Sequence, residues 1–298
     1  MTTPPYLKKG DKIGIIATAR KISKNEIQFA IDTFGKWGLK IVTGKNLFGS
    51  ENQYSGSDEQ RAEDLQDMLN DNSIRAVISA RGGYGTLRII DKIDFKKFLK
   101  NPKWIIGYSD ITVLHSHIHQ NFKTETIHAA MPVNFHKDEE SVETLRKALF
   151  GEKISYSIAA HPLNRNGKAE GSLVGGNLSL LYALEGSKSG ISTFGKILFI
   201  EDLDEYLYHI DRMMISLKRA GKLSHLAGLV VGGMTDMKDN KTPFGKTAEE
   251  IISDAVSGFD YPVCFGFPAG HQPKNFALRF GRMADLNVGK EVSLSFCW

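Results

Sequence analysis

The chain has 298 residues, of which 41% are hydrophobic and 24% charged, and this composition is typical of a folded globular protein. Its 38 basic and 34 acidic residues leave a net charge of only +4, spread along the chain, which gives no support for nucleic-acid binding. Two cysteines and no long apolar run indicate neither a disulfide framework, nor a zinc site, nor a membrane span or signal peptide. We therefore expect a soluble, cytoplasmic protein.

The first half of the chain alternates short β-branched apolar runs with segments of helical period, which is typical of a parallel sheet covered by helices. The predicted strands are Lys12–Ala17, Lys40–Thr43, Ala76–Ala80, Trp104–Gly107 and Thr126–His128. The predicted helices between them are Asn25–Trp37, Asp58–Asn70, Thr86–Ile90 and Asp110–Asn121. The pattern indicates an α/β fold that begins with a parallel sheet.

A stretch rich in turn-forming residues follows the helix that ends at Phe150. We interpret residues 151–170 as a linker between an N-terminal α/β domain, residues 1–150, and a smaller C-terminal α/β domain, residues 171–298. In the second half the predicted strands are Ala169–Leu173, Ile197–Ile200, Leu226–Val231, Pro262–Phe265, Ala277–Phe280 and Val292–Phe296. The predicted helices there are Asn177–Leu184, Tyr206–Ala220 and Thr247–Ser257.

Ser109 lies where a predicted strand gives way to a helix, in Trp104-Ile-Ile-Gly-Tyr-Ser-Asp-Ile-Thr112. Such a turn exposes the side chain at the carboxyl edge of the sheet, beside helical N–H groups that can stabilise an oxyanion. The local pattern alone favours a simpler interpretation, in which Ser109 or Asp110 caps the helix. The hydrolase pattern G-x-S-x-G is only half matched, because Ile111 stands in place of the second glycine.

A glycine-rich segment, Arg81-Gly-Gly-Tyr-Gly85, closes the third predicted strand. Its glycines allow backbone N–H groups to approach a ligand or an oxyanion. It does not match a dinucleotide fingerprint, because Arg88 stands where a third glycine is needed and the segment lies in the third βα unit. A tight turn and an oxyanion-binding loop fit the pattern equally, and no nucleotide cofactor is expected.

Glu201 and His271 both follow predicted strands. Glu201, in Ile200-Glu-Asp-Leu-Asp-Glu205, would emerge at the carboxyl end of its strand, where the sites of α/β proteins cluster. There Glu201 could orient a histidine. More commonly, such an acidic cluster caps the next helix and places negative charge at its N-terminus. His271 lies in the loop Pro268-Ala-Gly-His-Gln-Pro273, and a lone loop histidine is more often structural or solvated than catalytic.

Two further polar features have simple structural interpretations. His115, His117 and His119 follow Ser109 closely, and only His115 and His119 share a helix face, a spacing that could hold a metal. Because no third ligand is evident, we expect these histidines on a helix surface and no metal. Asn177 follows paired glycines and is expected to cap a helix, with substrate binding by this segment as the alternative.

Several motifs, in order along nearly the whole chain, resemble those of the LD-carboxypeptidase family of serine peptidases, family S66. This family includes muramoyl-tetrapeptide carboxypeptidases and microcin C self-immunity proteins. The motifs are Gly10-Asp-Lys-Ile-Gly-Ile-Ile16, Ala80-Arg-Gly-Gly-Tyr-Gly85, Ile106-Gly-Tyr-Ser-Asp-Ile-Thr112, Gly175-Gly-Asn-Leu-Ser179, Ile200-Glu-Asp202, Ile210-Asp-Arg212 and Gly270-His271. A set of ordered motifs is far more specific than any one of them.

The resemblance implies that Ser109 is a nucleophile and that Glu201 and His271 complete its catalytic triad. The backbone N–H groups of Gly83 and Asp110 would form the oxyanion hole. It further implies an N-terminal flavodoxin-like or amidotransferase-like domain, no metal or other cofactor, and a homodimer. The implied reaction is release of the terminal D-alanine of murein tetrapeptides, a step of peptidoglycan recycling.

The carboxylate of such a substrate needs a cationic or N–H partner. Arg81 and Arg212 are candidates for this role, and Tyr84 and Asn177 are further candidate contacts. Two alternatives to the murein carboxypeptidase stay open: an immunity peptidase for peptidyl-nucleotide antibiotics, and a non-catalytic two-domain protein that binds a small ligand.

Two segments depart from the family pattern. Ala17-Thr-Ala-Arg20 stands where family members often have Ala-Pro-Ser, and His128-Ala-Ala-Met131 stands in place of His-Gly-Pro. Neither departure touches the implied triad. Both leave the shape of the substrate pocket open.

Overall fold

The structure is a computed structural model that describes residues 1–297, which form two β-sheets and the helices packed on them. The strands β1 to β13 are Lys12–Ile16, Lys40–Thr43, Ile74–Ser79, Trp104–Gly107, Thr126–His128, Ser155–Ala159, Gly167–Asn177, Ile197–Leu203, Gly228–Thr235, Val263–Cys264, Leu278–Phe280, Met283–Val288 and Glu291–Phe296. The helices α1 to α9 are Lys24–Lys36, Asp58–Asn70, Thr86–Ile89, Lys96–Lys100, Thr112–Phe122, Glu139–Phe150, Leu178–Ala183, Leu207–Arg219 and Ala248–Ala255.

The first sheet has the strand order β11-β5-β4-β3-β1-β2. Strands β1 to β5 are parallel, and their order 2-1-3-4-5 is that of flavodoxin-like folds, as expected. In such a sheet, ligands bind beyond the carboxyl ends of the strands, close to where the strand order reverses. Strand β11 comes from near the end of the chain and completes this sheet antiparallel to β5, with Leu278 opposite His128.

The second sheet has the order β10-β9-β8-β7-β12-β13-β6 and is parallel in one half and antiparallel in the other. The long strand β7 joins the two halves, because it pairs with β12 near its start and with β8 near its end. Strand β6 lies within the segment predicted as a linker, and β12 was not predicted. The mixed α/β class is confirmed, whereas the domain boundaries at residues 150 and 170 stay predictions.

The two sheets share one hydrophobic core. Trp104 of β4, Phe199 of β8 and Phe280 of β11 belong to the same cluster of buried side chains. The end of β7 also contacts the start of α5, because the Asn177 N–H donates to Thr112 Oγ1 over 2.9 Å. The carboxyl ends of β4, β7 and β8 are thereby brought to one place.

Helix α5 is buried between the sheets, so the expected surface position of its histidines is wrong. His115, His117 and His119 are each at most 6% exposed. His115 bonds with Thr126 Oγ1 and the Gly107 carbonyl, at 2.8 and 2.9 Å, and His119 Nε2 accepts from a lysine. Each of these rings is held by a hydrogen bond within the core, which explains its position without a metal.

No helix in residues 1–297 is both long enough and apolar enough to cross a bilayer. Within the same range, no three His, Cys, Asp or Glu side chains are grouped so as to hold a metal ion.

Candidate active site

Ser109 follows the last residues of β4 in a strained turn. Its φ of 62° lies in the left-handed region, which non-glycine residues rarely adopt, and a 3₁₀ turn then leads into α5. Serine nucleophiles of α/β hydrolases lie on strand-to-helix turns of this kind. The capping interpretation is wrong, because neither Ser109 nor Asp110 caps this helix. The Asp110 carboxylate instead accepts from the Thr86 N–H, at the start of α3, over 2.8 Å.

Ser109, His271 and Glu201 form a continuous chain of hydrogen bonds. The distance from Ser109 Oγ to His271 Nε2 is 3.1 Å, and that from His271 Nδ1 to Glu201 Oε2 is 2.6 Å. The backbone N–H of His271 donates to the same carboxylate oxygen over 3.1 Å. The Glu201 side chain is completely buried and that of His271 is 14% exposed. The three side chains thus lie where the two sheets meet.

The Glu201 carboxylate controls both the tautomer and the charge of His271. A carboxylate only accepts hydrogen bonds, so Nδ1 carries the proton and Nε2 presents its lone pair to the Ser109 hydroxyl. Burial alone would lower the pKa of His271, but the charge and hydrogen bond of Glu201 raise it above the ordinary histidine value. Burial opposes ionisation of Glu201, yet His271 keeps the pKa of that carboxyl below its usual range.

The backbone around this pair allows the close approach. Glu201 is held by β8, and His271 lies in the loop after β10. The preceding residue, Gly270, has a φ of +102°, and a Cβ there would lie 2.7 Å from the Glu201 side chain. Thr235 Oγ1 donates to the His271 carbonyl, and the Tyr108 ring lies 4.8 Å from the imidazole, centroid to centroid. A side chain at position 270 would therefore push the histidine loop away from the carboxylate.

The glycine loop after β3 lies against Ser109. A Cβ at Gly82 would be 3.0 Å from Ser109 Cβ, so a larger residue here would crowd the serine. Gly83 lines the same cavity as Ser109, and Asp110 is the next residue in the chain. The N–H groups of Gly83 and Asp110 have no acceptor within residues 1–297. Two unpaired amides close to Ser109 can therefore donate to a ligand oxygen.

A cavity of about 810 Å³ opens at Ser109 and His271. Its ionisable lining residues are Arg20, Glu26, Arg81, His136, Lys137, Asp202, Asp204, Glu205 and His271. The arginines and the lysine of this lining come from the first half of the chain. All of its acidic residues except Glu26 come from the segment that follows Glu201. Both departures from the family pattern reach this cavity, through Arg20 and Met131.

Only two of the four predicted substrate contacts line this cavity. Arg81 lines the cavity, but its guanidinium contacts Glu26 at 3.3 Å and donates to a backbone carbonyl. Asn177 also lines the cavity, and it caps α7 as predicted. Tyr84 and Arg212 do not line it. The Tyr84 ring packs near another tyrosine, and Arg212 is exposed on α8 with its guanidinium over the Tyr208 ring.

Two residues of the site were not predicted. The Tyr108 ring packs against His271 at a tilt of 57°, and its hydroxyl accepts from Asn134 Nδ2 over 2.6 Å. The motif could have indicated Tyr108, because this residue directly precedes Ser109. Asp202 lines the cavity and accepts from Asn177 Nδ2, and burial beside Glu201 raises its pKa to about 7. Its contact with Asn177 depends on the pairing of β7 with β8, which the sequence does not show.

Comparison with known protein families identifies both halves of the chain. Residues 13–129 match the model of the LD-carboxypeptidase N-terminal domain, and residues 170–286 match that of the C-terminal domain. The chain belongs to the LD-carboxypeptidase family. Members of this family are peptide-bond hydrolases, and the site of this LD-carboxypeptidase family member has the side chains that a serine hydrolase needs.

Individual relatives cover almost the whole chain. A probable murein peptide carboxypeptidase of Bacillus subtilis is 38% identical, over 98% of this chain and 93% of the relative. The crystal structure of muramoyltetrapeptide carboxypeptidase from Oxalobacter formigenes is 25% identical, with a TM-score of 0.87 over 96% of this chain and 98% of that one. The microcin C7 self-immunity protein MccF of Escherichia coli is 26% identical, over 91% of this chain and 89% of the relative.

Proposed function

We propose that the protein is a serine LD-carboxypeptidase that releases the terminal D-alanine of murein tetrapeptides. The observation that carries the proposal is the hydrogen-bonded series Ser109, His271 and Glu201, beside two unpaired backbone N–H groups. Ser109, His271 and Gly83 line one cavity, and the buried Glu201 carboxylate lies directly behind His271, as acyl transfer to a serine requires. The substrate is proposed from the names of relatives, among which the Bacillus protein is the most similar of the three compared.

In the proposed acylation step, Ser109 Oγ attacks the carbonyl carbon of the scissile amide while His271 Nε2 takes the hydroxyl proton. Glu201 keeps the imidazole in the required tautomer and stabilises the imidazolium that forms. The N–H groups of Gly83 and Asp110 donate to the oxyanion of the tetrahedral intermediate. When the intermediate collapses, the carbon–nitrogen bond breaks and the leaving amine takes the proton from His271 Nε2.

Deacylation repeats these steps with water. His271 takes a proton from the water molecule, whose oxygen attacks the acyl-enzyme ester carbonyl, and the same two N–H groups stabilise the second oxyanion. Collapse returns the proton from His271 to Ser109 Oγ and releases the shortened peptide as a carboxylic acid, which then loses its proton to solvent. No group outside the described site is required for either half of the reaction.

The test is hydrolysis of an L,D-linked murein tetrapeptide beside its L,L counterpart, measured as release of D- or L-alanine. We expect release of D-alanine only, and a fall in kcat of about 10⁴- to 10⁶-fold in the Ser109→Ala variant. Ser253→Ala, on α9 and outside the cavity, is the matched control and should retain the wild-type rate. Near-wild-type hydrolysis by folded Ser109→Ala, or cleavage of a peptidyl-nucleotide with no release of D-alanine, would contradict the proposal.

The cellular compartment and the oligomeric state of the protein are also proposals. We propose that the protein works in the cytoplasm, in peptidoglycan recycling, because Cys264 and Cys297 are free thiols, as is usual in a reducing compartment. The resemblance to the family further suggests a homodimer. Light scattering coupled to gel filtration would measure its mass, and a monomer at micromolar concentration would contradict the dimer.

A further inference from the structure

A second, smaller cavity of about 410 Å³ adjoins the active-site cavity. The residues that line both cavities are Tyr108, Asn134, Lys137, Leu203 and His271. Ser109, Gly82 and Gly83 line only the larger one. The catalytic serine and the glycine loop therefore belong to one cavity, whereas the histidine lies between the two.

This arrangement separates the two products of acyl transfer. The acyl part of the substrate stays bonded to Ser109 with its oxygen at the glycine loop, and the leaving amine must be close to the nitrogen that protonates it, His271 Nε2. We infer that the smaller cavity binds the residue released from the carboxyl end of the substrate, and that Lys137 binds its terminal carboxylate. This inference rests on the proposed carboxypeptidase function and assigns one specificity-determining residue within it.

The charged residues around the smaller cavity favour Lys137 as the partner of the terminal carboxylate. It is the one lysine or arginine among the described residues that line the smaller cavity. No carboxylate in residues 1–297 lies within 4 Å of its ammonium group, whereas the Arg81 guanidinium already contacts Glu26. Arg212 lines neither cavity. Lys137 is therefore better placed for the leaving carboxylate than either arginine predicted from the sequence.

Asn275 forms part of the wall of the smaller cavity. It is 5% exposed, and its Oδ1 accepts from the Gly270 N–H over 2.8 Å. That contact defines the orientation of the amide, so Nδ2 is the donor end, and it has no acceptor within residues 1–297. Nδ2 itself is almost inaccessible, so Asn275 shapes the wall of the cavity and Lys137 is the group that can reach a ligand.

The two acidic residues that line the smaller cavity, Asp138 and Asp236, are compatible with binding of the released amino acid. Asp138 has its carboxylate engaged, because it caps α6 through the Ser141 N–H. Asp236 is exposed and lines the cavity, so it can pair with the ammonium group that cleavage creates on the released residue. A pocket with a lysine and a carboxylate is suited to a small zwitterion, which is the form of a free amino acid at neutral pH.

The experiment compares two substrates that differ only at the carboxyl terminus: an L,D-tetrapeptide with a free terminal carboxylate, and the same peptide as its terminal amide. We expect wild type to prefer the acid, and Lys137→Met to lower the acid-to-amide ratio of kcat/KM by about 10- to 100-fold. Lys137→Arg should keep the ratio within a few-fold, since it retains the charge.

The matched control is Lys274→Met, because Lys274 is exposed, forms an ion pair with Glu140 and lines neither cavity. It should leave the ratio unchanged. A merely structural role of Lys137 would alter both substrates alike, so an unchanged ratio in Lys137→Met overturns this inference alone. If wild type released no D-alanine from the free acid, the proposed function would fail, and this inference with it.

Discussion

Helix α5 and the loop after β10 both bury histidines, with opposite consequences for the charge of the rings. On α5, burial lowers the pKa of His115 to about 3, and burial beside Lys196 lowers that of His119 to about 3. In the loop after β10, His271 is also largely buried, yet its pKa is raised. The α5 rings therefore stay neutral at physiological pH and act as hydrogen-bonding parts of the core.

The difference lies in the partner of each ring. The α5 rings contact neutral oxygens or an ammonium group, which do not stabilise an imidazolium. His271 instead contacts the buried carboxylate of Glu201 at 2.6 Å. Burial removes water from both regions, and the charge of the partner then decides whether the ring can take up a proton. A base that must become positively charged during the reaction needs the second kind of environment.

Among changes that test this comparison of histidines, removal of the Glu201 charge should produce the largest effect. Glu201→Gln keeps an amide oxygen close to His271 Nδ1 but removes the negative charge, so kcat/KM should fall by about 10³- to 10⁴-fold. Steady-state hydrolysis of the L,D-tetrapeptide measures this. His209→Gln is the control, because His209 forms a carboxylate contact of the same length, 2.6 Å, on α8 without a serine. Activity of Glu201→Gln within tenfold of wild type would contradict the role of the charge.

The α5 histidines should affect stability instead of catalysis. His115→Ala removes a buried ring and its two hydrogen bonds, so the free energy of unfolding should fall by about 2–4 kcal/mol. Urea denaturation monitored by circular dichroism measures this loss. The midpoint of the pH profile of the folded variant should match that of wild type. A changed midpoint would indicate that the two histidine regions are coupled.

The pH dependence of kcat/KM should show a smaller effect that distinguishes His271 from the α5 histidines. His271 must be neutral to accept the Ser109 proton, so kcat/KM should decrease as the pH falls through its raised pKa. The midpoint is expected above the ordinary histidine value of 6.5, and in Glu201→Gln it should move to lower pH. The α5 histidines should add no step near neutrality, since they are already uncharged. A wild-type midpoint below 6.5 would contradict the proposed effect of Glu201.

Strands β1 to β5 of the first sheet could be predicted from the sequence because they are short β-branched runs separated by helices, but the place of β11 in this sheet was not predicted. Trp104–Gly107 and Thr126–His128 were predicted with the bounds that the structure has. Strands β6 and β12 were missed although their residues alternate between buried and exposed, a pattern that indicates a half-buried strand. The turn-forming residues beside them made both segments resemble loops.

The site was only partly accessible from local patterns. The strand end before Ser109 predicted its exposed turn, but Glu201 and His271 were joined to it through the family resemblance, since long-range contacts leave no local signal. The helix period of α5 did not show that the helix is covered on several sides, and the surface prediction failed for this reason. Lys137 and Asn275 were missed because they are far apart in the sequence, and only the folded chain places them beside one cavity.

The position of β11 has a consequence for the synthesis of the chain. The ribosome releases β1 to β5 early, but the outer edge of β5 lacks its neighbour until Leu278–Phe280 have emerged. During that interval the edge can pair with a strand of another nascent chain, a route to aggregation. His271 belongs to the same late segment, so no partly synthesised chain has the complete set of side chains for hydrolysis.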